Sequence, residues 1–228
     1  MREPIKVLDH GLVRLVESMG SDLSIVRNAR VSYDAEWRAG DNEGADVKLL
    51  NYLLKNGHTS PFESCTVTFE VKAPIFVLRQ WHRHRTWSFN EISARYAMLP
   101  EEFYVPELDQ ITTQSASNKQ MRTSDQHPRA GEYRRKIHDA CVDAFQLYHE
   151  MLEEGVPREL ARGVLPLNTY SHMFATVDLH NLMHFLRLRL HSHSQYEIRV
   201  YAEAMLKLIE PIVPHSVAAF KAHVLKLS

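Results

Sequence analysis

The stretch from residue 79 to residue 95 has the residue types of a ligand site. It carries four arginines and one glutamate, a strong positive excess in a chain whose net charge is −1. The planar guanidinium of arginine suits phosphate, and close like charges repel unless an anion lies between them. Aromatic residues with flat surfaces for a ring are interleaved with these cations: Trp81, Trp87, Phe89 and Tyr96. The segment therefore predicts a site for an anionic, ring-containing ligand such as a nucleotide.

A protein interface is the alternative interpretation of this segment. Arginine and aromatic residues are also enriched where proteins contact each other. The spacing alone favours neither a ligand site nor an interface, and in an oligomer one surface could serve as both.

The common nucleotide-binding loops are absent from the sequence. No two of the eight glycines are separated by one residue, which excludes a GxGxxG dinucleotide fingerprint, and no GxxxxGKS or GxxxxGKT phosphate loop occurs. The CxxC, HExxH and GxSxG motifs are absent as well. Any nucleotide cofactor must therefore be held without a glycine-rich loop.

Composition excludes several other classes of protein. With 44% hydrophobic residues, the 228-residue chain can bury a sizeable core and is not disordered overall. The near-neutral charge gives no general electrostatic basis for binding nucleic acid or a membrane, and no apolar run approaches the roughly 18 residues that span a bilayer. The first residues lack an apolar signal sequence, and two cysteines are too few for a disulfide framework, so we expect a cytoplasmic protein.

Some residues of the sequence are also compatible with two other functions, metal binding and RNA binding. The fourteen histidines include three pairs with spacings compatible with metal ligation: His82/His84, His180/His184 and His191/His193. No companion carboxylate completes a recognised ligand motif, so we expect no metal. The arginines and aromatics could stack single-stranded RNA, but the chain lacks the excess of basic residues that a phosphate-tracking surface needs.

Hydrophobic patterning predicts one α+β domain over residues 1–228. Residues 65–71 alternate between apolar and polar, as in a half-buried strand, and residues 5–17 are expected to form one or two short strands. The polar stretches 34–46 and 111–131 predict loops.

Helices are predicted from capping residues and apolar spacing. Asp22 is expected to cap a short helix, and Pro74 to begin the helix that carries residues 75–85. Apolar residues three and four apart predict the other helices: 47–57 with Gly57 as its stop, 133–154, 178–189, 194–210, and a last helix after Pro214 that ends near Lys226.

The order of residues in the arginine-rich segment resembles that of a known family. Arg83, His84 and Arg85, followed by seven residues and then Ser93, match the RHRx7S signature of the flavin-dependent thymidylate synthases (ThyX). The match extends to RHRxxSxNExSxRY, which ends at Tyr96. Flanking segments resemble family segments in the same order: ARVS at 29–32, GHTSPFE at 57–63, ELARGVLP at 159–166, and a stretch at 178–199 that contains DLHNLMHFLRLR and QYEIR. The resemblance therefore covers most of the chain.

The resemblance implies a ThyX-like fold, in which a mostly antiparallel sheet is flanked by helices, and a homotetramer with active sites shared between chains. Such enzymes convert dUMP to dTMP, taking a methylene group from 5,10-methylenetetrahydrofolate and reducing equivalents from NADPH through FAD. Their FAD lies in a cleft between subunits, which agrees with the missing glycine loop. The expected partners are these small molecules and further copies of the chain, with no nucleic acid and no membrane.

The family motifs assign roles to residues of this sequence by similarity. Ser93 and Arg189 are expected to be catalytic: Ser93 positions the uracil, and Arg189 faces its ring and stabilises developing negative charge. Arg95 and Arg162 would anchor the phosphate or sugar. The complete dUMP set is Gln80, Arg83, Glu91, Ser93, Ala94, Arg95, Arg162 and Arg189. The FAD set is Ser32, His58, Ser60, Arg83, His84, Arg85, Glu91, Asp178, His180 and His184.

Neither cysteine is expected to act as a nucleophile toward dUMP. Cys65 falls on a predicted strand and Cys141 on the apolar stripe of a predicted helix, with no arginine or histidine partner evident near either. Buried thiols without such a partner are inert. We therefore expect both cysteines to be core residues, and the reduced flavin to supply the hydride.

Overall fold

The computed structural model describes residues 3–226, so the first two and last two residues of the expected domain lie outside it. Its strands are β1 Ile5–Val7, β2 Gly11–Met19, β3 Thr66–Pro74, β4 Ser88–Glu91, β5 Thr112–Gln114, β6 Arg122–Gln126 and β7 Tyr170–Asp178. Five of them form an antiparallel sheet in the order β1-β2-β3-β7-β4, and β5 and β6 form a separate ribbon. The expected α+β class with a mostly antiparallel sheet is confirmed.

The helices follow the predicted order along the chain. They are α1 Asp22–Val31, α2 Glu43–Lys55, α3 Ile75–Trp81, α4 Ala130–Glu153, α5 Arg158–Ala161, α6 Leu179–Arg189, α7 Tyr196–Ile209 and α8 Pro214–Phe220. A π-helical turn, Lys221–Leu225, extends α8 to the predicted end. Gly57 follows α2 with a φ of 71°, the left-handed conformation that lets a glycine stop a helix. Within residues 3–226, no helix is long and apolar enough to cross a membrane.

The nine-residue pairing between β3 and β7 is the longest in the sheet. It runs from Thr66 opposite Asp178 to Pro74 opposite Tyr170. The predicted alternation in β3 holds, because the side chains at 67, 69 and 71 are buried in the core. The strand extends three residues beyond the predicted range because the ladder to β7 continues as far as Pro74.

β7 is not among the predicted elements, although its sequence carries a strand signal. Met173, Ala175 and Val177 are buried and alternate with more exposed residues, which is the period-two pattern of a half-buried strand. The same side of the sheet packs against α6 and α7 in one core cluster that includes Phe185 and Tyr201.

The opposite side of the sheet, the outer face, carries Arg14, Glu70, His172 and Phe174. Arg14 Nε donates to Glu70 Oε2 at 2.6 Å, and His172 Nε2 lies 2.8 Å from Glu70 Oε1. Phe174 is 41% exposed. The outer face therefore combines an ionic cluster with a large apolar side chain that residues 3–226 leave uncovered.

The helix expected over residues 75–85 is four residues too long, because α3 ends at Trp81. Burial explains the early end: Trp81 stacks on Phe185 with ring centroids 4.9 Å apart, and the backbone turns so that His84 N–H donates to the carbonyl of Trp81 at 2.9 Å. Trp81 and Trp87 are 0% and 7% exposed. They are core residues, and the expectation that they offer flat surfaces to a ligand was wrong.

Both predicted loops contain regular structure. In the first, α2 already begins at Glu43, because the side chain of Asn42 accepts the N–H of Ala45 at 3.0 Å and caps the helix. In the second, β5 and β6 pair, with the hydroxyls of Thr113 and Thr123 2.7 Å apart, and α4 begins at Ala130. The polar composition of these segments did not predict the helix start and the strands, because caps and cross-strand hydrogen bonds stabilise them.

Asp22 caps a different helix from the one expected. The N-cap of α1 is Ser21, and Asp22 is the first residue of that helix. Its carboxylate instead accepts the N–H groups of His215 and Ser216 at 2.9 and 3.0 Å, in the first turn of α8. An anion at a helix N-terminus is favourable, so Asp22 joins two ends of the core that are distant in sequence.

Candidate active site

Arg189 lies in the last turn of α6, and two acceptors hold its guanidinium in place. Nε donates to Nε2 of His84 at 3.1 Å, and Nη2 donates to the backbone carbonyl of Gln80 at 3.2 Å. A guanidinium has five N–H donors, so three remain without a partner in residues 3–226. A cation is favoured at a helix C-terminus in any protein, but this arrangement also presents a fixed, half-buried set of donors to a ligand.

His84 can accept from Arg189 because it is neutral. It is 8% exposed, and burial, with Arg189 and His184 nearby, lowers the pKa of His84 from 6.5 to about 4. Since Nε2 accepts the hydrogen bond, the ring proton lies on Nδ1. The pKa of His184 is also lowered, by burial and by Arg187 and His180. A protonated His84 would repel Arg189 and lose the hydrogen bond.

A second group of the predicted residues surrounds the end of β4 and α5. Ser93 Oγ accepts the N–H of Arg95 at 3.3 Å, which leaves the hydroxyl proton free to donate. Arg95 Nε lies 3.6 Å from Glu159 Oε2, and both side chains are more than half exposed, so the pair is weak. Arg162 is exposed at the C-cap of α5. These residues therefore present two accessible cations beside a hydroxyl.

Two more predicted residues complete this second group. Glu91 Oε1 accepts the hydroxyl of Ser171 at 2.5 Å, and its other oxygen lies 3.9 Å from His82 Nε2. Ala94 is 8% exposed and contributes backbone and a methyl group at most. Glu91 is therefore held in one orientation at the edge of the sheet.

A cleft of about 470 Å³ separates the end of α2 from α6, and two of the predicted FAD residues, His180 and His184, line it. Its walls are both polar and apolar: Leu54, Lys55, Asn56, Gly57, Thr59, His180, Met183, His184, Arg187, Phe220 and Val224. His58 and Ser60 are exposed on either side of Thr59. A cleft with both cationic and apolar walls suits a ligand that combines rings and phosphates.

The carboxylate of Asp178 is already occupied by the helix that follows it. As the N-cap of α6, it accepts the N–H of Asn181 at 2.9 Å and the side-chain amide of the same residue at 2.6 Å. The N-terminus of α6 therefore offsets the negative charge of Asp178, which reduces its repulsion of a nearby phosphate. Ser32 is exposed at the C-cap of α1.

Arg83 and Arg85 present guanidinium groups that residues 3–226 leave unpaired. Both are exposed in the turn after α3, and neither has a carboxylate partner among residues 3–226. Their donors are therefore available to an anion, which forms charge-assisted hydrogen bonds with arginine. Neither arginine is among the residues that line the cleft beside α6. Within residues 3–226, no hydrogen bond or ion pair joins Arg189, His84 and Gln80 to the group around Ser93 and Arg95.

Both cysteines are buried, as predicted, and their thiols are unreactive. Burial raises the pKa of Cys65 to about 11, with a smaller effect from Asp22. Burial likewise raises the pKa of Cys141, although a hydrogen bond with Asn168 opposes the shift. A thiol with a raised pKa carries little nucleophilic thiolate at neutral pH.

The histidine pairs are not assembled into a metal site in the part of the chain that is described. No group of three or more His, Cys, Asp or Glu side chains between residues 3 and 226 could hold a metal ion. His184 lies beside Arg187, with Nδ1 3.4 Å from Nη2, and His84 is bonded to Arg189. Neighbouring cations of this kind disfavour a bound metal ion.

Sequence reasoning missed a buried network next to the first group. Glu197 is 3% exposed and accepts hydrogen bonds from Tyr104, Arg122 and Gln195. Gln195 in turn accepts from the side-chain amide of Gln80. The only sequence signal was the QYEIR stretch that begins at Gln195, and its spacing does not reveal partners so distant in sequence.

Replacing His84 with glutamine should change how stability depends on pH. Between pH 6.5 and about 4 the unfolded chain binds a proton at residue 84 that the folded chain does not, so the wild type loses stability as the pH falls through this window. Glutamine does not titrate. Denaturant unfolding at pH 7 and pH 4.5 should therefore show a wild-type advantage that shrinks by about 2 kcal/mol at the lower pH.

The matched control is His138→Gln, at an exposed histidine on α4. It should follow the wild-type pH dependence. An identical pH dependence in the wild type and in His84→Gln would contradict a buried, neutral His84.

Comparisons with known proteins place the chain in a family. A family model described as "Thymidylate synthase complementing protein" matches residues 14–215. A flavin-dependent thymidylate synthase of Ehrlichia ruminantium is 48% identical over 222 residues, which cover 97% of this chain and 74% of that protein. Another from Treponema denticola is 46% identical over 225 residues, covering 98% and 84%.

A solved structure shares the fold. It is the UMP/dUMP methylase PolB from Streptomyces cacaoi bound with 5-Br dUMP, with a TM-score of 0.87, 38% identity, and coverage of 97% of this chain and 99% of that one. The family model spans most of the sequence, and the curated relatives match nearly all of it at close to half identity. The chain therefore belongs to the family of thymidylate synthase complementing proteins.

Proposed function

We propose that this protein is a flavin-dependent thymidylate synthase, which methylates dUMP to dTMP with 5,10-methylenetetrahydrofolate as carbon donor and NADPH as reductant. The observation that carries the proposal is Arg189, held between neutral His84 and the carbonyl of Gln80 with three N–H donors unused. Its relatives bear that enzyme name, and the structural neighbour is a methylase solved with a dUMP analogue. We place the reaction in the cytoplasm, where two unpaired thiols remain reduced.

In this proposal Arg189 stabilises negative charge that develops on the pyrimidine. Its position is fixed before the substrate arrives, because both of its acceptors belong to the folded chain. Donors that need no reorganisation are the most effective form of electrostatic catalysis. Ser93 donates its free hydroxyl proton to position the uracil, and Arg95 and Arg162 bind the phosphate or sugar. Gln80, Arg83, Glu91 and Ala94 complete the proposed dUMP site.

The FAD site in this proposal combines the cleft beside α6 with the two unpaired arginines of the turn after α3. Arg83 and Arg85 hold the phosphates, and the other residues shape the pocket: Ser32, His58, Ser60, His84, Glu91, Asp178, His180 and His184. When bound, FAD supplies the reducing equivalents drawn from NADPH. The protein itself binds the substrates and FAD, aligns them and excludes water.

We further propose that the enzyme is a homotetramer, with residues 1–228 as one catalytic domain. Two observations support shared active sites. The Arg189 group and the Ser93 group are not joined by polar contacts within residues 3–226, and Arg83 and Arg85 do not line the α2–α6 cleft. The outer face of the sheet, with Phe174 41% exposed, offers a surface for a second copy.

The purified protein should form dTMP from dUMP, methylenetetrahydrofolate and NADPH, and added FAD should increase the rate in flavin-depleted preparations. Product formation is measured by chromatography in parallel reactions with dUMP and with UMP, because the structural neighbour is named as a methylase of both. Folded protein that binds FAD but methylates neither nucleotide would contradict the proposal. Methylation of UMP alone would replace it with a ribonucleotide methylase.

The Cys65→Ala, Cys141→Ala double variant should keep most of its turnover. Both thiols are buried with raised pKa values, and no step of the proposed reaction uses them. The rate of dTMP formation at saturating substrate is the measurement, with circular dichroism to establish folding. A folded double variant without activity would show that an enzyme thiol takes part.

Replacing Arg189 with glutamine should lower kcat/KM for dUMP by about 10²–10³-fold, the range seen when one oxyanion donor is removed. Arg189→Lys keeps the charge but loses the fork that bonds His84 and Gln80 together, so it should recover only part of the activity. Arg135→Gln, at an exposed arginine on α4, is the control. Arg189→Gln with most of its turnover would remove the role given to this residue.

A further inference from the structure

Glu197 is an acceptor whose orientation is fixed from three sides. In the first turn of α7 it accepts the hydroxyl of Tyr104 at 3.2 Å, Nη2 of Arg122 at 3.2 Å and Nε2 of Gln195 at 2.8 Å. Burial, together with the neighbouring Glu197 carboxylate, raises the pKa of Tyr104, so its phenol stays protonated and donates. A carboxylate paired with a guanidinium is ionised and can only accept hydrogen bonds.

That acceptor determines the orientation of two amides in succession. Because Nε2 of Gln195 faces Glu197, its Oε1 faces the other way, toward Gln80. Nε2 of Gln80 donates to that oxygen. The Oε1 atom of Gln80 is left without a hydrogen-bond partner in residues 3–226. Flipping Gln195 would set an amide oxygen against the carboxylate, two acceptors face to face, so the orientation follows from the network.

The free oxygen of Gln80 lies on the same residue whose backbone carbonyl binds Arg189. A nucleotide that contacts both residues would therefore meet one free acceptor on Gln80 and the unused donors of the Arg189 guanidinium. An acceptor next to donors complements an imide edge, in which a ring N–H is flanked by carbonyl oxygens. Uracil has that edge. Cytosine held in the same place would direct the lone pair of its N3 atom at the amide oxygen.

We propose that Glu197 is a positioning residue which, through Gln195, holds the amide oxygen of Gln80 toward the pyrimidine and so selects uracil over cytosine nucleotides. The inference rests on the proposed function, which puts the nucleotide beside Gln80 and Arg189. It adds two residues to the site that touch no substrate themselves.

A purely structural role for Glu197 has a different consequence. The carboxylate also joins β6 to the start of α7 through Arg122. If that link were its whole contribution, removing it would weaken the binding of every nucleotide to a similar degree. The ratio of the dissociation constants of dCMP and dUMP therefore separates the two roles.

The test measures dUMP and dCMP binding to the FAD-loaded full chain by isothermal titration calorimetry. In Glu197→Gln the new amide can donate as well as accept, so the amides of Gln195 and Gln80 are free to flip. The ratio of the dCMP and dUMP dissociation constants should fall about tenfold, mainly through weaker dUMP binding, as expected for one misdirected hydrogen bond.

Gln195→Met provides a second variant in case Glu197→Gln fails to fold. Gln195 is exposed, so the change removes the link to Gln80 with little effect on the core. It should reduce the same ratio. Glu203→Gln is the matched control on α7, since Glu203 is half exposed and only faces Arg199 at 3.8 Å. It should bind both nucleotides as the wild type does.

Three outcomes would overturn the inference. An unchanged ratio in folded Glu197→Gln and Gln195→Met, with wild type that binds dUMP, would overturn it and leave the proposed function intact. A parallel loss of dUMP and dCMP affinity would assign Glu197 a structural role only. Wild type that binds neither nucleotide would overturn the proposed function, and this inference with it.

Discussion

The pairing of β3 with β7 determines where the candidate site forms. The two strands are antiparallel over nine residues, about 30 Å, so the helices that follow them begin at opposite ends of the ladder. α3 starts after Pro74 and α6 after Asp178, and each packs against its own strand. Eleven residues of α6 and seven of α3 span about 16 and 10 Å. Helices of these lengths that run back along the sheet meet near their C-termini, where Arg189 bonds Gln80.

The burial of His84 determines the chemistry where α3 and α6 meet. An exposed histidine next to an arginine would be partly charged, and the two would repel. Packing His84 against Phe185, with ring centroids 4.9 Å apart, removes solvent from the imidazole and favours its neutral form. The neutral ring becomes an acceptor that orients the cation. The contact between His84 and Phe185 therefore determines how the guanidinium of Arg189 is oriented.

The parts of the fold that depend on local pattern were predictable from the sequence. The alternation of β3, the apolar stripes of α6 and α7 and the stop at Gly57 are all properties of neighbouring residues. The early end of α3 was not predictable, because it depends on burying Trp81 and His84 against a helix about 100 residues away. The capping of α8 by Asp22 likewise joins residues that no local pattern connects.

The same distinction applies to the candidate site. The extended RHR motif identifies which side chains are candidates for the site, since their types and order carry the resemblance. It does not indicate that His84 accepts a hydrogen bond from Arg189, or that Glu197 is linked through Gln195 to Gln80. Both contacts form only when α3, α6 and α7 pack together. Tyr104 and Arg122 were missed for the same reason: they reach Glu197 from segments 93 and 75 residues away.

Two groups of arginines in the chain have different tasks. Arg14, Arg30 and Arg122 pair with carboxylates that are largely buried, and these pairs fix one segment against another. Arg83 and Arg85 are exposed, and residues 3–226 provide no anionic partner for either, so that solvent alone screens their mutual repulsion. A phosphate that binds them displaces no internal ion pair and relieves that repulsion. Exposed, unpaired cations are what a site for an anionic nucleotide requires.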